Sequence, residues 1–149
     1  MKAKRLKILS IDDDPGCQKA MSRFMTTIGG YTVETAYTGT EGLEKAARLA
    51  PDLILLDMML PDMNGMEVMD RLSAEPATSR IPVIIVTGAS LSESQRKDLG
   101  AKGNFLRLEE KPAEMTALLK IIDLLRDAGA ESGADSRPWP DIEGTICGY

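Results

Sequence analysis

Histidine is absent from this chain of 149 residues. Its absence excludes Ser-His-Asp and Cys-His nucleophilic catalysis, most zinc hydrolase chemistry and any service as a phosphohistidine donor. Cysteine is scarce: Cys17 and Cys147 lie far apart and form no CxxC pair. No disulfide framework is encoded, and a reduced, intracellular setting is expected. Positive charge is in deficit, with Lys+Arg 18 against Asp+Glu 23 and a net charge of −5. That balance argues against a nucleic-acid-binding surface. Long apolar runs are also missing. The basic start at residues 1–7 leads into an apolar stretch that stops at Asp12, Asp13 and Asp14, too short for a secretory signal core or a membrane span. The expectation is a cytoplasmic protein that engages neither membrane nor nucleic acid.

What is present suits one soluble globular domain: 43% hydrophobic and 28% charged residues. A domain of this size buries roughly two-thirds of its unfolded surface and needs no metal or disulfide staple. Apolar runs at 6–11, 31–36, 53–56 and 81–86 read as strands. The last two are continuous rather than alternating, as in a parallel sheet covered by helices on both faces. Helix signals separate them. Asp14-Pro15 offers an N-cap with proline at the first helical position, and Gly29-Gly30 stops that helix. Thr38-x-x-Glu41, Asn64-x-x-Glu67 and Ser92-x-x-Gln95 fit or approximate capping boxes. A fifth strand is expected over 105–110, and an amphipathic helix from Ala113 to about Asp127. Five β-α units in succession predict a flavodoxin-like doubly wound α/β sheet in the order 2-1-3-4-5.

The expected body is residues 1–127. Residues 128–149 change to Ala, Gly, Ser, Pro and acids, with no apolar period, and read as a tail. This segment nevertheless holds the sole tryptophan, Trp139, beside Glu131, Asp135, Asp141 and Glu143. Either a solvated tail or a short docking peptide fits that composition.

In this architecture ligands bind outside the carboxyl ends of the strands. Strand one runs into Asp12, Asp13 and Asp14, strand three ends at Asp57, strand four at Thr87, and strand five leads to Lys111-Pro112. Singly, each has a plain structural explanation: a capping cluster, a turn, a strand end, a solvated lysine. Together they bring complementary chemistry to one sheet edge. Asp12, Asp13 and Asp57 would repel one another if all were ionised there, and a small hard cation such as Mg2+ resolves the repulsion. Lys111 adds positive charge for an incoming anion, and Thr87 a hydroxyl donor. A carboxylate nucleophile among such groups makes a phosphoryl-acceptor site. A dinucleotide or flavin site would want a Gly-rich first turn, which Asp12–Pro15 replaces.

These motifs, with Ile8-Leu-Ser-Ile-Asp-Asp-Asp-Pro15, Leu53-Ile-Leu-Leu-Asp-Met-Met-Leu-Pro-Asp-Met-Asn-Gly65, Ile81-Pro-Val-Ile-Ile-Val-Thr-Gly-Ala89 and Lys111-Pro112, resemble the receiver domain of two-component response regulators over about residues 4–127. The resemblance implies Asp57 as phosphoacceptor. It implies Asp13 as a direct Mg2+ ligand, Asp12 as one acting mainly through water, and the backbone carbonyl of Met59 as the remaining protein ligand. Thr87 and Lys111 would grip the phosphoryl group, and Lys111-Pro112 is where the family often has a cis peptide bond. The sequence departs from the family in two places. An aromatic residue usually sits three positions before the lysine; here that position is Leu108, and the nearby aromatic is Phe105. The stretch from Gly100 to Lys111 is also longer than the common pattern, through either a longer loop or a strand with Glu109 and Glu110 inserted.

The implied function is a stand-alone signalling protein, not a turnover enzyme. A histidine kinase or histidine phosphotransfer protein would donate to Asp57 in a monomer or weak homodimer. The altered surface near strands four and five would change a contact with a downstream protein. The polar tail is too short to build a DNA-binding domain. The alternative is a non-switching scaffold of the same fold. An aspartate-nucleophile phosphatase would need a second aspartate where Met59 stands.

Overall fold

The computed structural model describes residues 6–110 and 115–131. Lys111, Pro112, Trp139 and Cys147 lie outside the described residues. The elements are β1 (Lys7–Ile11), α1 (Pro15–Thr27), β2 (Thr32–Ala36), α2 (Gly39–Leu49), β3 (Leu53–Leu56), α3 (Gly65–Ala74), β4 (Val83–Thr87), α4 (Glu93–Gly100), β5 (Phe105–Glu110) and α5 (Met115–Glu131). Every strand pair is parallel, in the order β2-β1-β3-β4-β5. This is the expected flavodoxin-like arrangement. Strand β4 starts at Val83 rather than Ile81 because Pro82 has no N–H to give a ladder. Helix α5 passes the expected end at Asp127 and continues to Glu131, so the body boundary expected at 127 falls within a helix.

Alternate side chains of each strand enter two separate cores. On one face Leu9, Ile11, Ile54, Leu56, Val83 and Ile85 pack with Ala46 of α2, Val68, Met69 and Leu72 of α3, and Leu99 of α4. On the other, Ile8, Leu53, Leu55, Ile84 and Val86 meet Met21 and Met25 of α1 and Leu118, Ile121 and Ile122 of α5. Strand β3 is apolar throughout because both of its faces are covered. Each buried Leu or Ile contributes roughly 1.5–3 kcal/mol relative to exposure.

The helix starts were read correctly in position, but their chemistry differs. Asp14 caps α1, accepting from the N–H groups of Gly16 and Cys17. Ser92 and Gln95 close a full reciprocal box at α4. Thr38 caps α2, yet Glu41 accepts from the Tyr37 N–H at 2.6 Å instead of returning to Thr38. Asn64 caps α3 while Glu67 pairs with Arg71 at 3.0 Å.

Three polar or steric constraints aim the carboxyl edge of the sheet. Gln18 is 1% exposed, and its Nε2 donates to the carbonyls of Ser10, Asp12 and Ala36 at 2.9, 3.0 and 2.9 Å. It ties the ends of β1 and β2 to α1. Asp62, in the segment after β3, accepts from the Gly39 and Thr40 N–H groups and the Thr40 hydroxyl at 2.7, 2.8 and 2.6 Å. It thereby clasps that segment to the head of α2, where the helix dipole also favours a carboxylate. Gly65 completes the set. A Cβ there would lie 2.8 Å from the Met58 Cα and 2.9 Å from the Asp57 carbonyl oxygen, so only glycine lets α3 begin this close to the strand end.

Two outcomes are expected from these ties. Gln18→Leu should lower unfolding stability by about 1–3 kcal/mol, measured by denaturant titration, because it strips buried carbonyls of their donor. The Asp62 carboxyl is held at about 2, below its ordinary 3.8, by the hydrogen bonds from Thr40 and Gly39. Its stabilising contribution is therefore complete above pH ~4 and lost as pH falls through ~2. Asp62→Asn should cost on the order of 1 kcal/mol at neutral pH, after allowance for solvent screening. That difference should close at pH ~2 in an acid-unfolding comparison.

Candidate functional site

The register of the central strands brings the acidic residues together. Ile11 of β1 pairs with Leu56 of β3, so the residues that follow, Asp12 and Asp57, leave the sheet side by side. The Asp57 N–H donates to the Ile11 carbonyl at 2.9 Å, and the Asp12 N–H to the Ala36 carbonyl at 3.0 Å. Asp12 and Asp57 are 8% and 6% exposed, while Asp13 is exposed. One carboxylate oxygen from each of Asp12, Asp13 and Asp57 lies within 4.8 Å of the others. An Asp12 oxygen also accepts from the Asp14 N–H at 3.0 Å, and an Asp57 oxygen from the Met59 N–H at 3.2 Å.

The acidic triplet divides its labour. Asp14 is committed to the α1 cap, where its carboxylate also meets the Cys17 thiol. Asp12 and Asp13 face Asp57. Three carboxylates this close, two of them buried, suit a divalent cation that takes hard oxygen ligands. Octahedral Mg2+ holds its oxygens at about 2.1 Å, so opposite ligands lie roughly 4.2 Å apart. The observed grouping is within the reach of a single ion of this type.

Thr87 ends β4 at the same sheet edge and is 1% exposed. Its hydroxyl oxygen accepts from the Ala89 N–H at 3.1 Å, which orients the hydroxyl through its acceptor side. Strand β5 accompanies β4 to the end, Glu110 pairing with Thr87, and the chain leaves β5 toward Lys111, which lies outside the described residues. The extra length before Lys111 sits in the strand. A register shift between Val83 and Ile84 leaves Leu106 unmatched, and Glu109 pairs with Val86. Phe105 pairs with Val83 at the opposite end of β4 from Thr87, whereas Leu108 pairs with Ile85. Leu108 is thus the apolar β5 side chain nearer to Thr87, packed against the α3–α4 core. Glu109 pairs with Arg107 two positions back, both side chains half-buried or less exposed, so its charge is answered locally.

Met59 makes an isolated antiparallel bridge with Asn64, and its side chain is 66% exposed. Two residues that organise this edge escaped the sequence reading. Gln18 had a signal, because it is a polar residue on the inward stripe of α1 with Met21 and Met25. Asp62 had none, because its partners lie 22 and 23 positions away in α2.

Residues 8–123 match the family model of the response regulator receiver domain. The DNA-binding dual master transcriptional regulator RpaA of Synechocystis is 37% identical over 131 residues, covering 85% of this chain and 54% of that protein. The response regulator MprA of Mycobacterium ulcerans is 36% identical over 135 residues, covering 87% of this chain and 56% of its own length. The chain thus spans about half the length of these relatives. Among solved structures, the CheY-like response regulator receiver domain protein from Methanospirillum hungatei superposes with a TM-score of 0.77 at 28% identity. That match covers 87% of this chain and 100% of the other. The N-terminal domain of a response regulator receiver protein from Methanoculleus marisnigri gives 0.66 at 32% identity, covering 80% and 95%. With five parallel strands, a carboxylate cluster at the ends of β1 and β3, and a family match over most of its length, the chain belongs to the receiver-domain family of two-component response regulators.

Proposed function

We propose that Asp57 is the phosphoacceptor of this receiver domain and takes its phosphoryl group from a histidine kinase or histidine phosphotransfer protein. The observation that carries this reading is the convergence of Asp12, Asp13 and Asp57 within 4.8 Å at the carboxyl edge of the sheet. In the transfer, a carboxylate oxygen of Asp57 attacks phosphorus as the P–N bond to the donor imidazole breaks, and the imidazole leaves with the bonding pair. Asp12, Asp13, Asp57 and the Met59 carbonyl are the groups to hold Mg2+, which supplies charge neutralisation for the phosphoryl oxygens when bound. Thr87 orients its hydroxyl against the Ala89 N–H and donates to a phosphoryl oxygen, and Lys111 supplies the fixed positive charge. Burial of Asp57 strengthens every such interaction.

The output is a shift in the surface around β4 and β5, where Thr87 and Leu108 lie in the same stretch of paired strand, read by a downstream protein. The body of the protein runs to the end of α5, the segment beyond it forms the tail, and the protein acts in the cytoplasm as a monomer or weak homodimer. No helix among the described residues is long and apolar enough to cross a membrane.

Incubation with Mg2+ and acetyl phosphate should add one phosphoryl group by intact mass, and Asp57→Asn should abolish it. Chelation of Mg2+ should suppress the adduct, as should Asp13→Asn, by at least an order of magnitude for a lost ligand. A protein that takes no phosphoryl group from any donor would instead be the scaffold. The phosphoryl lifetime is a separate readout. Met59 and Ala89 flank the approach to Asp57 with no side-chain group to orient a water, so decay should be slow. A lifetime of seconds or less without a partner phosphatase would contradict that assignment.

A further inference from the structure

Helix α1 carries apolar residues on two faces. Gln18, Met21 and Met25 are its buried, inward side chains. Ala20, Phe24 and Ile28 recur every fourth position on the other side, with Ile28 63% exposed and Phe24 only partly covered by the core. With Lys19, Arg23 and Thr27 they line an open recess of about 550 Å³. Lys19 and Arg23 are exposed on its rim. Among the described residues no carboxylate pairs with either. An apolar floor with a cationic rim suits a peptide that is both aromatic and acidic.

The chain itself holds such a peptide in Asp135, Pro138-Trp139-Pro140, Asp141, Ile142 and Glu143. The path of α5 delivers it to this helix. The Tyr31 hydroxyl, just past the end of α1, donates to Asp123, and the Arg126 guanidinium lies 5.8 Å from the Tyr31 ring centre. From Asp123 the helix continues to Glu131, a further ~12 Å at 1.5 Å per residue. The residues from Glu131 to Trp139 span up to about 28 Å when extended, enough to cover the return and bring the indole to Ile28 and Phe24. Chain continuing toward the head of α1 then passes Arg23 and Lys19 with Asp141 and Glu143. The two prolines limit the conformational freedom lost on docking. Asp13 and Asp14 at the head of α1 repel further acids and bound the docked length.

We propose that residues 132–149 fold back onto the outward face of α1, with Trp139 in the recess beside Phe24 and Ile28 and with Asp141 and Glu143 against Arg23 and Lys19. The docked segment covers the helix that begins at the acidic cluster, so a protein approaching Asp57 along α1 must displace it.

Trp139 is the sole tryptophan and reports its own environment in the full chain. Its emission should lie to the blue of free tryptophan amide and resist acrylamide quenching, at all protein concentrations. Ile28→Glu combined with Ala20→Glu should move the emission to that of the free amide, with the helical circular dichroism retained. Lys19→Glu combined with Arg23→Glu, at exposed positions, should raise quenching in the same direction and carries the test if the first pair unfolds. Emission already equal to the free amide in the unaltered chain would overturn the proposal. So would a blue-shifted emission indifferent to both pairs, which places the segment elsewhere, or one that fades on dilution, which places it on a second copy.

Discussion

The parallel pairing of β1 with β3 is the constraint on which the rest of this molecule turns. Ile11 opposite Leu56 makes Asp12 and Asp57 neighbours, and the sharp entry into α1 adds Asp13. A slip of one residue would send the alternating side chains of β3 to the wrong cores and separate the carboxylates. The cores on both faces therefore enforce a geometry whose electrostatics are unfavourable on their own. Apolar burial over the whole sheet holds together a cluster of like charges that only a cation or an incoming electrophile relieves.

Around that pairing, the local ties all serve to stiffen the edge where the acids stand. Gln18 gathers carbonyls from β1 and β2, and Gly65 lets α3 start against the Asp57 carbonyl. Asp62 fastens the intervening segment to α2. None of these groups belongs to the reactive set, yet each fixes backbone that a reactive group depends on. Preorganisation of this kind means that little reorganisation is left to be done when charge develops at Asp57.

Strand β5 shows where reading from residues reaches its limit. Its span was legible as an apolar run, but the residue that takes the place of an aromatic was open between Phe105 and Leu108. The answer depends on a bulge at Leu106, which shifts every later residue relative to β4. A bulge has no compositional signal here. It arises from fitting a long strand to a neighbour of fixed length, and so is visible only once both are paired. The partner of Asp62 and the split use of Glu41 and Glu67 were hidden for a related reason, because a side chain near a helix start has several donors or cations within reach.

The sequence by itself determined the element order, the doubly wound class and the residues at the strand ends, because these follow from local periodicity, capping chemistry and the handedness of crossovers. It also determined, through the absence of histidine, that this chain cannot be its own phosphohistidine donor. Tertiary structure alone decided which acids meet, with Asp14 turned to its helix and Asp12 and Asp13 to Asp57. It alone decided that α1 would keep an apolar stripe facing outward. Both outcomes depend on register and packing between segments distant in the chain, and no local interaction encodes a distance between such segments.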